Sequence, residues 1–129
     1  MQDNSRTTIL IVDDLNSARR ILRRFLATLG YKNIYEASSG SSALETLRQH
    51  QVNLLISDFN LEDFSGLDLL NTVKQLRGYE QVPFILATSD DTGAELMSTH
   101  GHRFSGFLEK PYSPDLLKKV IDKALSDPS

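Results

Sequence analysis

The sequence predicts an α/β fold: a five-stranded parallel sheet, doubly wound as (βα)5, with helices on both faces in a three-layer sandwich. Two observations predict it. Five short, mostly apolar runs alternate with longer segments whose apolar residues recur at the spacing of a helix. Most of these runs place apolar residues at adjacent positions, which is typical of strands buried on both faces of a parallel sheet. Such strands are joined by right-handed crossovers that lay helices over both faces.

The predicted strands stop at residues that can carry chemistry. They span 8–12, 33–37, 54–58, 82–87 and 106–109. Asp13 and Asp14 follow the first strand, and Asp58 ends the third. Thr88 follows the fourth strand, and Lys110 follows the fifth. Because ligands and reactive groups collect at the carboxyl ends of parallel strands, we expect these five side chains to meet at one edge.

The predicted helices follow from apolar periodicity and from residues that start or stop a helix. The first ends at Gly30, the second lies between Gly40 and His50, and the third begins after Gly66 and ends at 77–78. A short fourth helix is predicted within 90–103. The last helix has Ser113 as its cap and proline at its first position, which are strong start signals.

Composition and charge exclude several classes of function. The 129 residues suit one domain over 1–129, with a flexible tail over 1–7. The absence of cysteine excludes a disulfide framework, a thiolate metal site and a cysteine nucleophile. A net charge of −3 gives no overall attraction to nucleic acid or anionic lipid. The amino terminus lacks the apolar core of a signal peptide, and no apolar run is long enough to span a bilayer, so we expect a cytoplasmic protein.

One local patch of charge lies on the first predicted helix. Its outward positions carry Arg19, Arg20, Arg23 and Arg24. Exposed charges on a helix usually form a solvated face and contribute little energy, although a basic stripe is also suited to docking. The sequence leaves both interpretations open.

The residues expected at the sheet edge favour phosphoryl transfer. Three carboxylates in close proximity repel one another and raise one another's pKa unless a cation neutralises them. Oxygen ligands without histidine or cysteine favour Mg²⁺, which takes one or two protein carboxylates together with phosphate oxygens. A lysine and a hydroxyl beside such an ion can stabilise a transferring phosphoryl group. Asp58 is the predicted nucleophile, which would form an acyl phosphate.

These motifs resemble those of response-regulator receiver domains of the CheY type over essentially the whole chain. That family has an acidic pair after the first strand, an aspartate after the third, Thr or Ser after the fourth, and Lys-Pro after the fifth. Here they are Asp13-Asp14, Asp58, Thr88 and Lys110-Pro111. The resemblance implies a flavodoxin-like, CheY-like fold and a phosphoacceptor of two-component signal transduction. Such a protein catalyses its own phosphotransfer and slow dephosphorylation and is not otherwise an enzyme.

The resemblance implies an acceptor and a metal site. Asp58 would accept a phosphoryl group from the phosphohistidine of a histidine kinase or histidine phosphotransfer protein. Asp14, Asp58 and the backbone carbonyl of Asn60 would bind Mg²⁺, for which Mn²⁺ can substitute. Asp13 would act through metal-bound water.

The resemblance also implies a switch. Lys110 would contact the phosphoryl group, and Thr88 would turn inward to hydrogen-bond it. Phe107 occupies the aromatic switch position, and the Lys110–Pro111 peptide bond would be cis. A downstream protein would bind the face formed by the fourth helix, the fifth strand and the fifth helix, and dimerisation on phosphorylation is a further option.

Three departures from the family pattern lie close to these positions. Glu62 stands where proline is common in the loop after the third strand. Ser89 stands where a small Ala or Gly often leaves phosphate access open, and the stretch 102–104 replaces an Ala-Gly-Ala-like turn. They imply slower phosphoryl access and a distinctive surface between the fourth helix and the fifth strand.

Alternative functions are weaker. A Mg²⁺-dependent aspartyl-phosphate hydrolase would need a general acid and a substrate-selecting cap, and no insertion is long enough for a cap. An FMN-binding protein would need a hydroxyl- and glycine-rich phosphate loop where the acidic pair stands. A CheY-like docking module that acts without phosphorylation is a further alternative. His100 and His102 lack a third ligand, so no transition-metal site is predicted.

Overall fold

Five parallel strands form one sheet in the order β2-β1-β3-β4-β5 in the computed structural model, which describes residues 6–89, 95, 98, 99 and 103–126. The strands are β1 (Thr8–Val12), β2 (Asn33–Ala37), β3 (Leu54–Asp58), β4 (Phe84–Thr88) and β5 (Gly106–Glu109). Every neighbouring pair is parallel. The predicted fold class is therefore confirmed, and four of the five strands have the bounds that the sequence predicts.

The fourth strand was predicted to begin two residues too early. It starts at Phe84 because Pro83 has no N–H to donate to a strand ladder. The amide of Val82 instead bonds the carbonyl of Tyr79 in a turn, at 3.3 Å. The strand also runs one residue further than predicted, so that Thr88 belongs to β4 and pairs with Glu109 of β5.

Four helices flank the sheet within the described ranges: α1 (Asn16–Thr28), α2 (Gly40–Gln49), α3 (Gly66–Lys74) and α4 (Pro114–Ser126). The third ends at Lys74 rather than at 77–78, because the amides of Gln75 and Leu76 bond the carbonyls three residues back and tighten the chain into turns. Most of the predicted helix within 90–103, including His100 and His102, lies outside the described residues, as does most of the predicted tail 1–7.

Alternating strand residues divide the core into two apolar layers. Leu10, Val12, Leu55 and Leu86 face α2 and α3, while Ile9, Ile11, Ile56 and Ile85 face α1 and α4. This period of two follows from the pleat of a strand, which points successive side chains to opposite faces. The two layers fix the strands, and therefore fix the edge at which the strands end. None of the helices among the described residues is long and apolar enough to cross a membrane.

Tyr79 fastens the end of α2 to the connection between α3 and β4. Its ring is 8% exposed, and its hydroxyl lies 2.9 Å from the carbonyl oxygen of Leu47 and 2.7 Å from that of His50. The hydroxyl oxygen also accepts a hydrogen bond from the amide of Val52 at 3.3 Å. A single buried phenol thus satisfies backbone groups that would otherwise lack a partner at the end of a helix.

We expect Tyr79→Phe to lower the free energy of unfolding by about 1–3 kcal/mol, because it leaves buried backbone groups without a hydrogen bond. Tyr35→Phe is the matched control, since it removes the same hydroxyl from an exposed ring that stacks on His50. Its effect should stay within about 0.5 kcal/mol. Urea unfolding of both variants measures the difference, and equal effects would contradict the role given to Tyr79.

Candidate functional site

Three carboxylates meet at the carboxyl ends of β1 and β3. One ligand atom from each of Asp13, Asp14 and Asp58 can be chosen so that all lie within 4.8 Å of one another. The strands are direct neighbours, with Val12 paired to Ser57, so both chains leave the sheet side by side. Asp13 is buried, Asp58 is partly buried and Asp14 is exposed. The carboxylates predicted to meet at this edge are therefore brought together.

Lys110 enters the same cluster from the end of β5. Its Nζ donates to Asp13 Oδ2 at 2.9 Å and to Asp58 Oδ1 at 3.2 Å. Its backbone amide donates to the carbonyl oxygen of Thr88 at 2.8 Å, which fixes the start of the loop after β5. The Lys110–Pro111 peptide bond is cis. The lysine thus bridges two of the three acids.

Electrostatics at this edge favour a bound cation. Burial raises the pKa of Asp58, and the charge of Asp13 raises it further, while Lys110 opposes both effects. Burial lowers the pKa of Lys110, but its contacts with Asp13 and Asp58 outweigh burial, so the pKa is raised and the amine stays protonated. Three carboxylates against one ammonium leave two negative charges unbalanced, which is the charge of one divalent ion. The acidic cluster is therefore consistent with a metal site.

The two acids after β1 differ in how their oxygens are used. Asp13 Oδ1 accepts a hydrogen bond from the amide of Leu15 at 3.0 Å, and Oδ2 accepts from Lys110. Asp14 is exposed and carries no hydrogen bond or ion pair with any described residue. The oxygens of Asp14 are therefore the more available for direct contact with an ion.

The predicted switch residues lie on the two strands next to the acidic cluster. Thr88 is 4% exposed at the end of β4. Phe107 is partly buried on β5, where its ring centroid lies 5.2 Å from that of Phe104. By strand alternation, Thr88 and Phe107 face the same side of the sheet. The structure brings them together as neighbours on one face.

Asn60 lies in the loop between β3 and α3. The residue is exposed, and an isolated bridge pairs it with Ser65 across the loop. Glu62 and Ser89, two of the three departures named above, are also exposed. Ser89 lines a cavity that begins beside Asp58.

That cavity is a feature that the sequence did not indicate. Its volume is about 340 Å³, and it lies between α1 and the segment that follows Lys110. Phe25 and Tyr112 line it with their rings in an edge-to-face contact, 6.0 Å between centroids. Burial raises the pKa of Tyr112 to about 12, so its phenol stays protonated. An aromatic residue directly after Lys-Pro was the one available signal, and it does not specify a cavity.

The basic stripe on α1 is partly explained by contacts within the chain. Arg19 and Arg23 each pair with Glu36 of β2 at 3.1 Å. The guanidinium of Arg19 also donates to the backbone carbonyl of Asp13. Arg20 and Arg24 are exposed. Arg19 and Arg23 therefore hold α1 against β2, and Arg19 also contacts the backbone of Asp13 in the acidic cluster.

Comparisons with known proteins agree with this geometry. The family model described as response regulator receiver domain matches residues 9–122. The chain is 31% identical over 118 residues to a chemotaxis protein CheY homolog of Campylobacter jejuni, covering 91% of each protein. It is also 31% identical to chemotaxis protein CheY1 of Helicobacter pylori, covering 91% of this chain and 95% of that relative. The solved structure of chemotaxis response regulator CheY4 of Vibrio cholerae matches with a TM-score of 0.83 at 25% identity, covering 92% of this chain and 98% of that one. These matches confirm the resemblance that the motifs indicate.

The raised pKa of Asp58 gives a pH-dependent prediction. The folded chain holds the Asp58 proton more tightly than the unfolded chain does, so the free energy of unfolding falls as pH rises from the ordinary carboxyl range through the raised pKa. Asp58→Asn should remove this loss. Without metal at neutral pH it should be the more stable protein, and the difference should shrink as pH is lowered.

Urea unfolding across pH in the presence of a chelator measures this difference. Glu62→Gln is the control, because it removes one exposed carboxylate from the neighbouring loop. Added Mg²⁺ should stabilise the parent protein more than Asp58→Asn, because only the parent keeps the full set of carboxylates. A lower stability of Asp58→Asn without metal would contradict the assigned electrostatics.

Proposed function

The chain belongs to the response regulator receiver domain family, whose members are signalling rather than catalytic proteins, and we propose that Asp58 is its phosphoacceptor. The observation that carries the proposal is the Asp58 carboxylate at the end of β3, 3.2 Å from the Lys110 ammonium and in one cluster with Asp13 and Asp14. A carboxylate can attack phosphorus, and the Lys110 ammonium together with a divalent ion in the acidic cluster would stabilise the negative charge of the phosphoryl group.

The proposed reaction transfers a phosphoryl group from a phosphohistidine. A carboxylate oxygen of Asp58 attacks phosphorus, the phosphorus–nitrogen bond breaks, and the departing imidazole keeps the electron pair and takes up a proton. The product is an acyl phosphate on Asp58. Membership of the family implies a kinase as partner, and we propose a histidine kinase or a histidine phosphotransfer protein as the donor.

The donor set fits Mg²⁺, with Mn²⁺ as a substitute, because every candidate ligand is an oxygen. Asp14, Asp58 and the Asn60 carbonyl would hold the ion. Asp13, whose two oxygens accept hydrogen bonds from Leu15 and Lys110, would act through a metal-bound water molecule, as the family resemblance implies. When bound, the ion would neutralise charge on the phosphoryl oxygens.

Lys110 is the proposed partner of the transferred group. Its amine has three donors and already lies against Asp58, so it can bond a phosphoryl oxygen with a small shift of the side chain. The neighbouring hydroxyl of Thr88 would bond a second oxygen. Phe107, on the same face of the sheet, would then change its packing against Phe104.

The proposed output is a change in affinity for a protein partner. The proposed face consists of β5, which contains Phe107, together with α4 and the helix that the sequence predicts within 90–103. Phosphorylation shifts a population between two states of this face and need not create a new fold. The curated relatives are chemotaxis proteins, so chemotaxis signalling is the first pathway in which to seek the donor and the partner.

Phosphorylation of Asp58 can be tested with a small phosphodonor such as acetyl phosphate. The parent protein with Mg²⁺ should gain one phosphoryl group that is labile to base, as seen by intact mass spectrometry. Asp58→Asn should gain none, and Asp14→Ala should lose both Mg²⁺ binding and most of the modification. Asp115→Asn removes an exposed acid from the first turn of α4 and should behave as the parent does. Absence of any modification in the parent would overturn the proposal, and continuous release of phosphate over many turnovers would favour a hydrolase.

Thr88→Ala should separate phosphorylation from its response. The variant keeps the acids and Lys110, so Asp58 should still be phosphorylated. It lacks the hydroxyl proposed to hydrogen-bond the phosphoryl group. The change in the NMR signals of the Phe107 ring on phosphorylation should therefore fall to well under half of the parent's. Ser89→Ala removes the adjacent, exposed hydroxyl and should keep the full response. An unchanged Phe107 response in Thr88→Ala would contradict the switch role of Thr88.

A further inference from the structure

We infer that Asp63 is a positioning residue for the metal site: its carboxylate ties the loop that carries the Asn60 carbonyl to the start of α2, and so strengthens binding of Mg²⁺. This inference rests on the proposed function in one respect, namely that the Asn60 carbonyl is a ligand. Asp63 does not touch the acidic cluster, and its effect would pass through the backbone of the loop.

The loop between β3 and α3, residues 59–65, is closed on itself at its base. Asn60 and Ser65 form an antiparallel bridge. The amide of Gly66 donates to the carbonyl of Phe59 at 2.6 Å, and the amide of Leu61 donates to the carbonyl of Phe64 at 3.1 Å. The position of Asn60 is therefore set by a small backbone ring whose other side includes residue 63.

The far side of this ring is attached to α2 by Asp63. Its Oδ1 accepts a hydrogen bond from the amide of Gly40 at 2.8 Å. Its Oδ2 accepts from the amide of Ser41 at 2.9 Å and from the Ser41 hydroxyl at 2.7 Å. Hydrogen bonding, mostly from the Ser41 hydroxyl and also from these amides, lowers the pKa of Asp63 to about 2, so the carboxylate is ionised at every pH at which the protein would work. A negative charge is also favoured at the positive end of a helix.

A second contact acts at the same place. The ring of Phe64 packs so closely against Gly40 that a Cβ built at Gly40 would overlap it. Gly40 is buried, and Phe64 packs against the apolar layer that includes α2. Two adjacent residues of the loop therefore contact the first turn of α2: Asp63 through its carboxylate and Phe64 through its ring.

The sequence explains why the loop needs this attachment. Glu62 replaces the proline that is common in receiver domains at this position, so the fixed φ of a proline ring is missing next to Asp63. An unrestrained loop would have to be ordered by the metal itself, and that ordering weakens the measured affinity. Groups that orient metal ligands change affinity by about 10- to 100-fold when they contact the ligand directly. Asp63 is exposed and does not contact the Asn60 carbonyl directly, so its effect on metal affinity should be smaller than this range.

The experiment measures binding of Mg²⁺ alone, without a phosphodonor, by NMR titration of the ¹⁵N-labelled chain. Asp63→Ala should raise the dissociation constant about threefold to tenfold, below the range for side chains that contact a ligand directly. Asp63→Asn keeps one acceptor for the helix amides and should fall between Asp63→Ala and the parent. Ser41→Ala removes a donor without changing any charge and should raise the dissociation constant about twofold.

Glu62→Ala is the matched control, because it removes one negative charge from the adjacent position of the same loop. Its effect should stay below twofold. Amide hydrogen exchange at Asn60 and Leu61 should accelerate in Asp63→Ala and not in Glu62→Ala. Urea unfolding of each variant shows that the titrated protein is folded, and a loss of stability alone would leave the dissociation constant of the folded protein unchanged.

Two results would overturn the inference. Equal weakening in Asp63→Ala and Glu62→Ala, with none in Ser41→Ala, would mean that Asp63 acts only as a distant charge. Parent-like binding in Asp63→Ala would mean that the loop is ordered without it. The proposed function fails in a different way: if Asp58 were never phosphorylated while Mg²⁺ binding still depended on Asp63, the inference would stand and the phosphoacceptor role would not.

Discussion

The closeness of three carboxylates at the ends of β1 and β3 is the constraint on which the rest of the structure depends. One carboxylate oxygen from each of Asp13, Asp14 and Asp58 lies within 4.8 Å of the others because two neighbouring parallel strands end at the same edge. Like charges at such separations repel by about 3–4 kcal/mol per pair where protein partly replaces water. The two apolar layers have to hold the strands in place against this repulsion. Lys110, delivered by the last strand, offsets part of it.

The sheet also separates the cavity beside Asp58 from Phe107, the proposed switch residue. Phe107 belongs to the layer that includes α2 and α3, whereas the cavity beside Asp58 opens on the side of α1 and Tyr112. A group attached at the edge therefore borders both faces of the sheet. Pairing between β4 and β5 places Leu86 opposite Phe107 and Thr88 opposite Glu109. In the proposed switch, a change at Thr88 would reach Phe107 through these two strands, which are held in fixed register.

The residues at this edge could be predicted because their positions depend on local pattern. The run that ends at Asp58 is apolar and short, and the edge at which parallel strands end follows from the fold class alone. The predicted bounds were wrong where backbone hydrogen bonding sets the end of an element. Pro83 has no N–H, so β4 begins later than predicted, and tight turns end α3 at Lys74. The contact between Asp63 and the start of α2 joins distant parts of the sequence, because Ser41 and Asp63 are 22 residues apart. No spacing within either segment encodes such a contact.

The bond between Lys110 and Asp13 lets a change of charge at Asp58 be accommodated without rebuilding the site. Asp13 is a fixed acceptor, because it is buried and its other oxygen is bonded to the amide of Leu15. The contact of Lys110 with Asp58 is the longer of the two, 3.2 Å against 2.9 Å. A phosphoryl group on Asp58 would carry negative charge outward from the sheet, and an ammonium group with three donors can follow it while Asp13 retains the amine. In the proposed function the acidic pair therefore has two roles: exposed Asp14 would bind the metal ion, and buried Asp13 would hold Lys110 while its amine follows the phosphoryl group.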